Sequence, residues 1–297
     1  MGGTGFIGYH LAQKCLKKNF DVTSLSSSEP NKKRYLKKIK YIKCDISKKN
    51  LLKKSLKKNY DYVVNLGGYV NHNEKIKTFN SHYIGCKNLA DIFLKKKIET
   101  FLQIGSSVEY GNTASPQREI NIKYNKKLHS TYGSAKLLAS EYLNKLYDEF
   151  KFPSVILRLY LIYGPEQEAN RLIPIVIKNC LLNKSFPCSS GLQKRDFLFI
   201  DDLVLAIIKC LKNKRIKGKS INIGYGIPHR VIDIIKCIKK IINSGNPIYG
   251  KIKFRKDEIK NLYPDINRAK TLLKWKPKVS IIKGLKLTIN DYRKKIL

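Results

Sequence analysis

Met1-Gly2-Gly3-Thr4-Gly5-Phe6-Ile7-Gly8 opens the chain, and its reading decides the fold. The glycines space as Gly3-x-Gly5-x-x-Gly8 or as Gly2-x-x-Gly5-x-x-Gly8. Glycine tolerates positive φ and lets the backbone approach a ligand closely. A helix that starts from such a turn points free N–H groups and its positive dipole end at an anion. Phe6, Ile7, His10, Leu11 and Cys15 recur at helical spacing directly behind the glycines. The stretch predicts a cradle for the pyrophosphate of a dinucleotide. That signature ordinarily follows a buried β-strand, and here only a methionine precedes it. The expectation is that the first strand is missing, because the start is set a strand's length late or the sequence is a fragment. In-frame codons upstream are then expected to encode a short β-branched run.

Working outward, short apolar runs alternate with helical stretches. The runs are Asp21–Leu25, Tyr41–Ile46, Tyr62–Leu66, Thr100–Ser107, Val155–Ile162 and Ser220–Gly224. The helical stretches are Lys48–Lys58, Lys75–Lys97, Tyr132–Phe150, Asp201–Leu211 and Val231–Ile242. Strands that are apolar throughout belong in a parallel sheet covered on both faces. The fold class is therefore α/β with a doubly wound parallel sheet, the Rossmann arrangement. Residues 164–195 and 244–297 break the alternation and are richer in Pro, Gly and charge. They read as a smaller substrate lobe, with residues 1–163 plus 196–243 as the dinucleotide-binding domain and a ligand cleft between the two.

Composition narrows the class. A chain of 297 residues with 42% hydrophobic content is long and apolar enough for a large folded core. No apolar run is long enough to cross a bilayer and no signal peptide is visible, so the reading is a cytoplasmic protein without a membrane partner. Seven cysteines, an odd number without a C-x-x-C pair, read as free thiols, and no metal-ligand spacing appears. The formal net charge of +38 is spread along the whole chain. A nucleic-acid surface would concentrate it and interleave aromatics, so nucleic acid is not the expected partner. The charge does favour anionic ligands such as nucleoside diphosphates.

Chemistry centres on Ser106 and on Tyr132-Gly133-Ser134-Ala135-Lys136. Tyr and Lys four apart share one helix face. An ammonium beside a phenol stabilises the phenolate and lowers a pKa that is otherwise about 10. The phenol can then exchange a proton with a sugar hydroxyl or carbonyl near neutral pH. Ser106 sits at a strand end, where a doubly wound sheet presents its ligands, and its hydroxyl can hold the same oxygen.

With these residues in place, the chain resembles the extended short-chain dehydrogenase/reductases, the nucleotide-sugar epimerases, dehydratases and reductases. The matching segments are Gly2–Gly8, Cys44-Asp45-Ile46, Asn65-Leu66-Gly67-Gly68, Gly105–Gly111, Tyr132–Lys136, Arg158–Pro165, Arg195-Asp196-Phe197 and Leu273–Pro277. The resemblance implies that Ser106, Tyr132 and Lys136 are catalytic, with Lys136 also holding the nicotinamide ribose. It implies NAD or NADP contacts at Gly2, Gly5, Phe6, Ile7, Gly8, Ser26, Asp45, Ile46, Leu66 and Gly67. It also implies that Arg195 and Arg255 clamp the diphosphate of a nucleotide sugar and that Asn170 touches its nucleotide half. Val70, Asn71, His72, His129 and residues 173–178 are further substrate-facing candidates. A homodimer through 75–97 and 132–150 is expected.

Three departures sharpen the reading. Relatives that eliminate water carry Asp and Glu after the residue matching Ser106; here Ser107 and Val108 stand there, so a 4,6-dehydratase is not expected. Glu109 follows, turned by strand alternation to the other face. His82 stands where the relatives usually have Asn and reads either as its replacement or, by slight preference, as an ordinary helix residue. Ser26 occupies the position where an acidic residue pairs with the ribose of NAD, and Lys32, Lys33 and Arg34 follow; hydroxyls and cations favour NADP(H). The leading expectation is reduction of a nucleotide-activated 4-keto-hexose. The alternatives are a nucleotide-sugar 4-epimerase with tightly bound NAD and a non-catalytic dinucleotide- or RNA-binding member of the fold.

Overall fold

The computed structural model describes residues 1–71, 73–122, 128, 130–254 and 258–296. In chain order the first elements are α1 (Phe6–Leu16), β1 (Thr23–Ser26), β2 (Lys40–Lys43), α2 (Lys49–Ser55) and β3 (Tyr62–Asn65). Then come α3 (Lys75–Phe79) and α4 (Gly85–Leu94), joined by a π-helical turn at Asn80–Ile84, and β4 (Thr100–Ser106), α5 (Thr131–Phe150) and β5 (Ser154–Leu159). The rest comprises β6 (Leu161–Tyr163), α6 (Leu172–Leu181), β7 (Ser185–Pro187), β8 (Lys194–Arg195), β9 (Phe197–Phe199), α7 (Ile200–Leu211) and β10 (Lys219–Ile223). It ends with β11 (His229–Arg230), α8 (Val231–Ile242), β12 (Asn246–Ile248), β13 (Asn261–Leu262), α9 (Asn267–Leu273) and α10 (Ile281–Ile296).

Strands β3, β4, β5 and β10 form one parallel sheet in the order β10-β5-β4-β3, and β1 pairs in parallel with β2. Met1 and Gly2 lie between the two sheets. The Met1 amine donates to Val64 O at 2.6 Å, Leu66 N donates to Met1 O at 3.1 Å, and Gly2 N donates to Leu25 O at 2.8 Å. Burial pulls the pKa of that amine down to about 5.

Side chains of a strand alternate between faces, and here the alternation sorts residues into two cores. On one face Leu102, Ile104, Val155 and Leu157 pack with Phe6 and Leu11 of α1 and Leu203 and Ile207 of α7. On the other, Phe101 and Ile156 pack with Leu89 and Phe93 of α4 and Leu143 and Leu146 of α5. This is the doubly wound Rossmann fold that the apolar strands imply.

One expectation is corrected. The run Val155–Ile162 is not one strand: β5 stays between β4 and β10, Tyr160 interrupts, and β6 leaves to pair with β9. Helix α8, expected in the dinucleotide-binding domain, puts Ile234, Ile235 and Ile238 in one core with Ile173 and Ile177 of α6 and Leu285 and Ile289 of α10. That continuous apolar core runs through the expected boundary at residue 243.

Asp196, between β8 and β9, is fully buried and accepts from Tyr225 N at 2.7 Å and Gly226 N at 2.6 Å. Burial pushes its carboxyl up to about 6 despite those two donors. An acid with a folded pKa above its unfolded value of about 3.9 contributes stability below that value, and the contribution is lost as pH rises through 6. Asp196→Asn removes the titration, so the stability of the parent relative to the variant should grow by about 2 kcal/mol between pH 7 and pH 4.5. Urea unfolding at both pH values measures it; a constant difference contradicts the assignment.

Candidate active site

The glycine loop, the β1–β5 strand ends and the start of α5 surround one cleft of about 980 Å³. Gly2 has φ +74°, a left-handed conformation that a side chain would strain. A Cβ on Gly8 would overlap the Gly2 carbonyl oxygen and lie 2.5 Å from Gly3 Cα, so the loop can wrap the start of α1 only with glycine there. Gly8→Ala should therefore weaken dinucleotide binding by roughly 100-fold, about 2.7 kcal/mol. Isothermal titration with NAD and NADP tests this; affinity within about threefold of the parent overturns it.

The cleft wall gathers most of the residues chosen from sequence. Gly2, Gly5, Phe6, Ile7 and Gly8 come from the loop and first helical turn, Ser26 from the end of β1, Asp45 and Ile46 from beyond β2, and Leu66 and Gly67 from beyond β3. Ser106, Tyr132 and Lys136 complete it. Ser26 Oγ is buried without a hydrogen-bond partner among the described residues, which leaves a hydroxyl ready for a ligand. Asp45 Oδ1 accepts from Ser47 N at 2.9 Å and Ser47 Oγ at 2.8 Å, so it is also a turn cap. A wrapped glycine loop, an orphaned hydroxyl at the β1 end and an apolar Ile46 fit a dinucleotide.

Ser106 ends β4 and caps the short helical turn 107–110, accepting from Val108 N at 3.4 Å. Its own N–H donates to Glu109 Oε1 at 2.7 Å. Glu109 is therefore turned inward by the capping box rather than by strand alternation. Ser130 caps α5, accepting from Gly133 N at 3.0 Å, and this places Tyr132 in the first turn. Lys136 Nζ donates to Ile104 O at 2.7 Å and sits 5.9 Å from the centre of the Tyr132 ring. Burial lowers the Lys136 pKa to about 8, with Glu109 and then Cys86 opposing. Burial raises the Tyr132 phenol and the Glu109 charge adds to it, while the hydrogen bond with Ser106 and the Arg171 charge pull it down.

Other candidates fall elsewhere. Arg195 is not on the cleft wall; its NH1 donates to Ile259 O at 2.7 Å and its NH2 pairs with Glu258, both on the segment leading to β13. Asn170 is exposed and off the wall, while its neighbours Glu168 and Arg171 line it. Ile173, Val176 and Ile177 belong to the core, because α6 turns that face to α8. Arg255, His72 and His129 lie outside the described residues. Lys32 and Lys33 are exposed and off the wall. Arg34 is buried instead: NH1 donates to Glu168 Oε1 at 3.1 Å and to Thr4 O at 3.4 Å, and NH2 donates to Glu166 O. It ties the glycine loop to the segment after β6, both of which wall the cleft.

His82, read either as a replacement for Asn or as an ordinary helix residue, is placed at the cleft. It lies buried on the π-helical turn, lines the cleft, and packs edge-on to Tyr132 with ring centres 4.9 Å apart. The departure from Asn was the available signal; the π-turn that rotates this position inward is not encoded in a 3.6-residue pattern. Among the described residues, no cluster of three or more His, Cys, Asp or Glu could hold a metal, and no helix is long and apolar enough to cross a membrane.

A Rossmann fold whose cleft joins a strand-end serine to a Tyr-x-x-x-Lys helix defines the extended short-chain dehydrogenase/reductases. Within that class the chain belongs to the NAD-dependent epimerase/dehydratase family, whose model matches residues 1–224. It is 30% identical over 302 residues to a Methanocaldococcus jannaschii protein named "Putative UDP-glucose 4-epimerase", covering 97% of this chain and 96% of that one. It is 28% identical to the Mus musculus dTDP-D-glucose 4,6-dehydratase, covering 99% of this chain and 87% of the relative. The structure of UDP-glucuronic acid 4-epimerase from Bacillus cereus, in complex with UDP-glucuronic acid and NAD, superimposes with a TM-score of 0.87 at 26% identity, covering 99% and 98% of the two chains.

Proposed function

We propose that the protein is a nucleotide-sugar 4-epimerase that keeps its dinucleotide bound. The observation that carries this over the reductase reading is Arg34. The NADP(H) expectation leaned on the cations after β1, yet Arg34 is committed to Glu168, Thr4 O and Glu166 O, and Lys32 and Lys33 are off the cleft wall. A bridge between the two walls supports retention of a cofactor that is regenerated in every cycle. The relatives named as 4-epimerases support the same reading, as does the absence of a carboxyl on Ser107 and Val108, which stand on the wall beside Ser106.

The glycine loop, Ser26, Asp45, Ile46 and Lys136 would hold the dinucleotide, which when bound supplies reversible hydride transfer at C4 of the hexose. Ser106 holds the C4 oxygen. Tyr132 takes the hydroxyl proton as the ketone forms and returns it once the sugar has presented its other face. Lys136 keeps a positive charge near the phenol and favours its deprotonated form.

One observation favours reduction of a 4-keto sugar as a second reading: no carboxylate ends β1, so Ser26 does not repel a 2′-phosphate. A single experiment separates the two. The purified protein is denatured to release and identify bound nucleotide, and UDP-glucose is offered without added coenzyme. Bound NAD and formation of UDP-galactose support the epimerase; turnover only of a 4-keto sugar, and only with added NADPH, overturns it.

A further inference from the structure

We propose that His82 is a positioning residue for Tyr132, a wedge through which the loop after β3 sets the orientation and hydration of the proton-transferring phenol. The inference rests on the reading of Tyr132 as the acid/base. Tyr69 O is an acceptor only, so the 3.2 Å contact from His82 Nε2 fixes the proton on that nitrogen and anchors the ring to the loop. The ring lies so close over Gly68 that a Cβ there would overlap its Cε1. The same ring packs edge-on against Tyr132, with centres 4.9 Å apart. His82 thus fills the space between a loop that lines the cleft and the phenol itself, and it excludes water from one side of Tyr132. The charges acting on that phenol are Glu109 after β4, which raises its titration, and Arg171 before α6, which lowers it; Lys136 Nζ lies 5.9 Å from the ring centre. A wedge that excludes water should keep the phenol titration high.

The test uses the full-length protein labelled with ζ-¹³C tyrosine, the Tyr132 signal being assigned by its loss in Tyr132→Phe. In His82→Ala the Tyr132 midpoint should fall by about half a pH unit or more, toward the ordinary value of about 10. With UDP-glucose, kcat should drop roughly tenfold while KM moves less than about threefold, because the phenol released from the wedge ionises more readily but is no longer held toward the C4 oxygen. Gly68→Ala pushes the ring aside and should reproduce both effects. If His82→Ala does not fold, His82→Asn keeps a donor for Tyr69 O, lacks the ring and should show the same fall. An unchanged or raised Tyr132 midpoint in a folded variant overturns the proposal, as does an effect confined to KM. If the parent turns over no nucleotide sugar but the midpoint falls in the variants, the functional reading fails and the wedge stands. If turnover is present and both readouts ignore His82, the wedge fails and the functional reading stands.

Discussion

Tyr132→Phe is expected to lower turnover by about 10²–10⁴-fold while leaving the fold and the bound dinucleotide in place. The substitution removes one oxygen atom and keeps the ring. The packing against His82 survives, as does the donation of Lys136 Nζ to Ile104 O at 2.7 Å. What disappears is the proton carrier. Interconversion of an alcohol and a ketone moves a proton at oxygen along with the electron pair at carbon. Among the described residues on the cleft wall, Ser106 is within hydrogen-bond reach of Tyr132, but a serine hydroxyl holds its proton too strongly to replace the phenol. Residual activity above about 10% of the parent, measured as UDP-galactose formed from UDP-glucose, contradicts the role given to Tyr132. The variant should still carry its nucleotide after purification, and mass analysis of the released cofactor checks that separately.

Glycine loops, strand ends and a Tyr-x-x-x-Lys helix are local, so Gly8, Ser106, Tyr132 and Lys136 are legible without knowing what packs on what. The apolar strands are legible for the same reason, because burial on both faces leaves no alternation. Arg34 and Arg195 are different. A guanidinium suits a phosphate and a carboxylate equally well, and which it meets depends on where residues 166–168 and 258–259 return in space. Nothing in the immediate neighbourhood of either arginine carries that information. His82 is ambiguous for another reason. Its inward orientation depends on a π-turn, which shifts the helical register by a fraction of a residue and leaves no periodic trace. Helix α8 is amphipathic, and such a face fits a sheet or another helix alike, so its packing partners are not legible locally.

Removing Arg158 is expected to cost more stability than any other substitution considered, about 3–5 kcal/mol, and to disturb the site as well. Arg158 lies on β5 and Glu109 follows Ser106; both side chains are fully buried and meet at 2.8 Å. Glu109 Oε2 also accepts from Ser140 Oγ at 2.8 Å, while Oε1 accepts from Ser106 N at 2.7 Å. Arg158 in turn lies 5.1 Å over the Tyr110 ring and donates to the Tyr110 hydroxyl at 3.3 Å. Arg158→Met replaces the bulk but strips Glu109 of its buried counter-charge. The carboxylate must then stay charged in an apolar setting, take up a proton or draw in water. Each course weakens the cap that orients Ser106. Thermal unfolding should drop on the order of 10 °C, and kcat should fall in the fraction that remains folded. Glu109→Met combined with Arg158→Met removes both charges and should recover a large share of the lost stability, since an apolar pair of similar volume does not carry the desolvation penalty. The recovery should not extend to kcat, because Ser106 N still lacks the Glu109 acceptor. A double variant that is no more stable than Arg158→Met would mean that the pair's charges matter less than the shapes around them. Full activity in the double variant would detach the capping box from the chemistry.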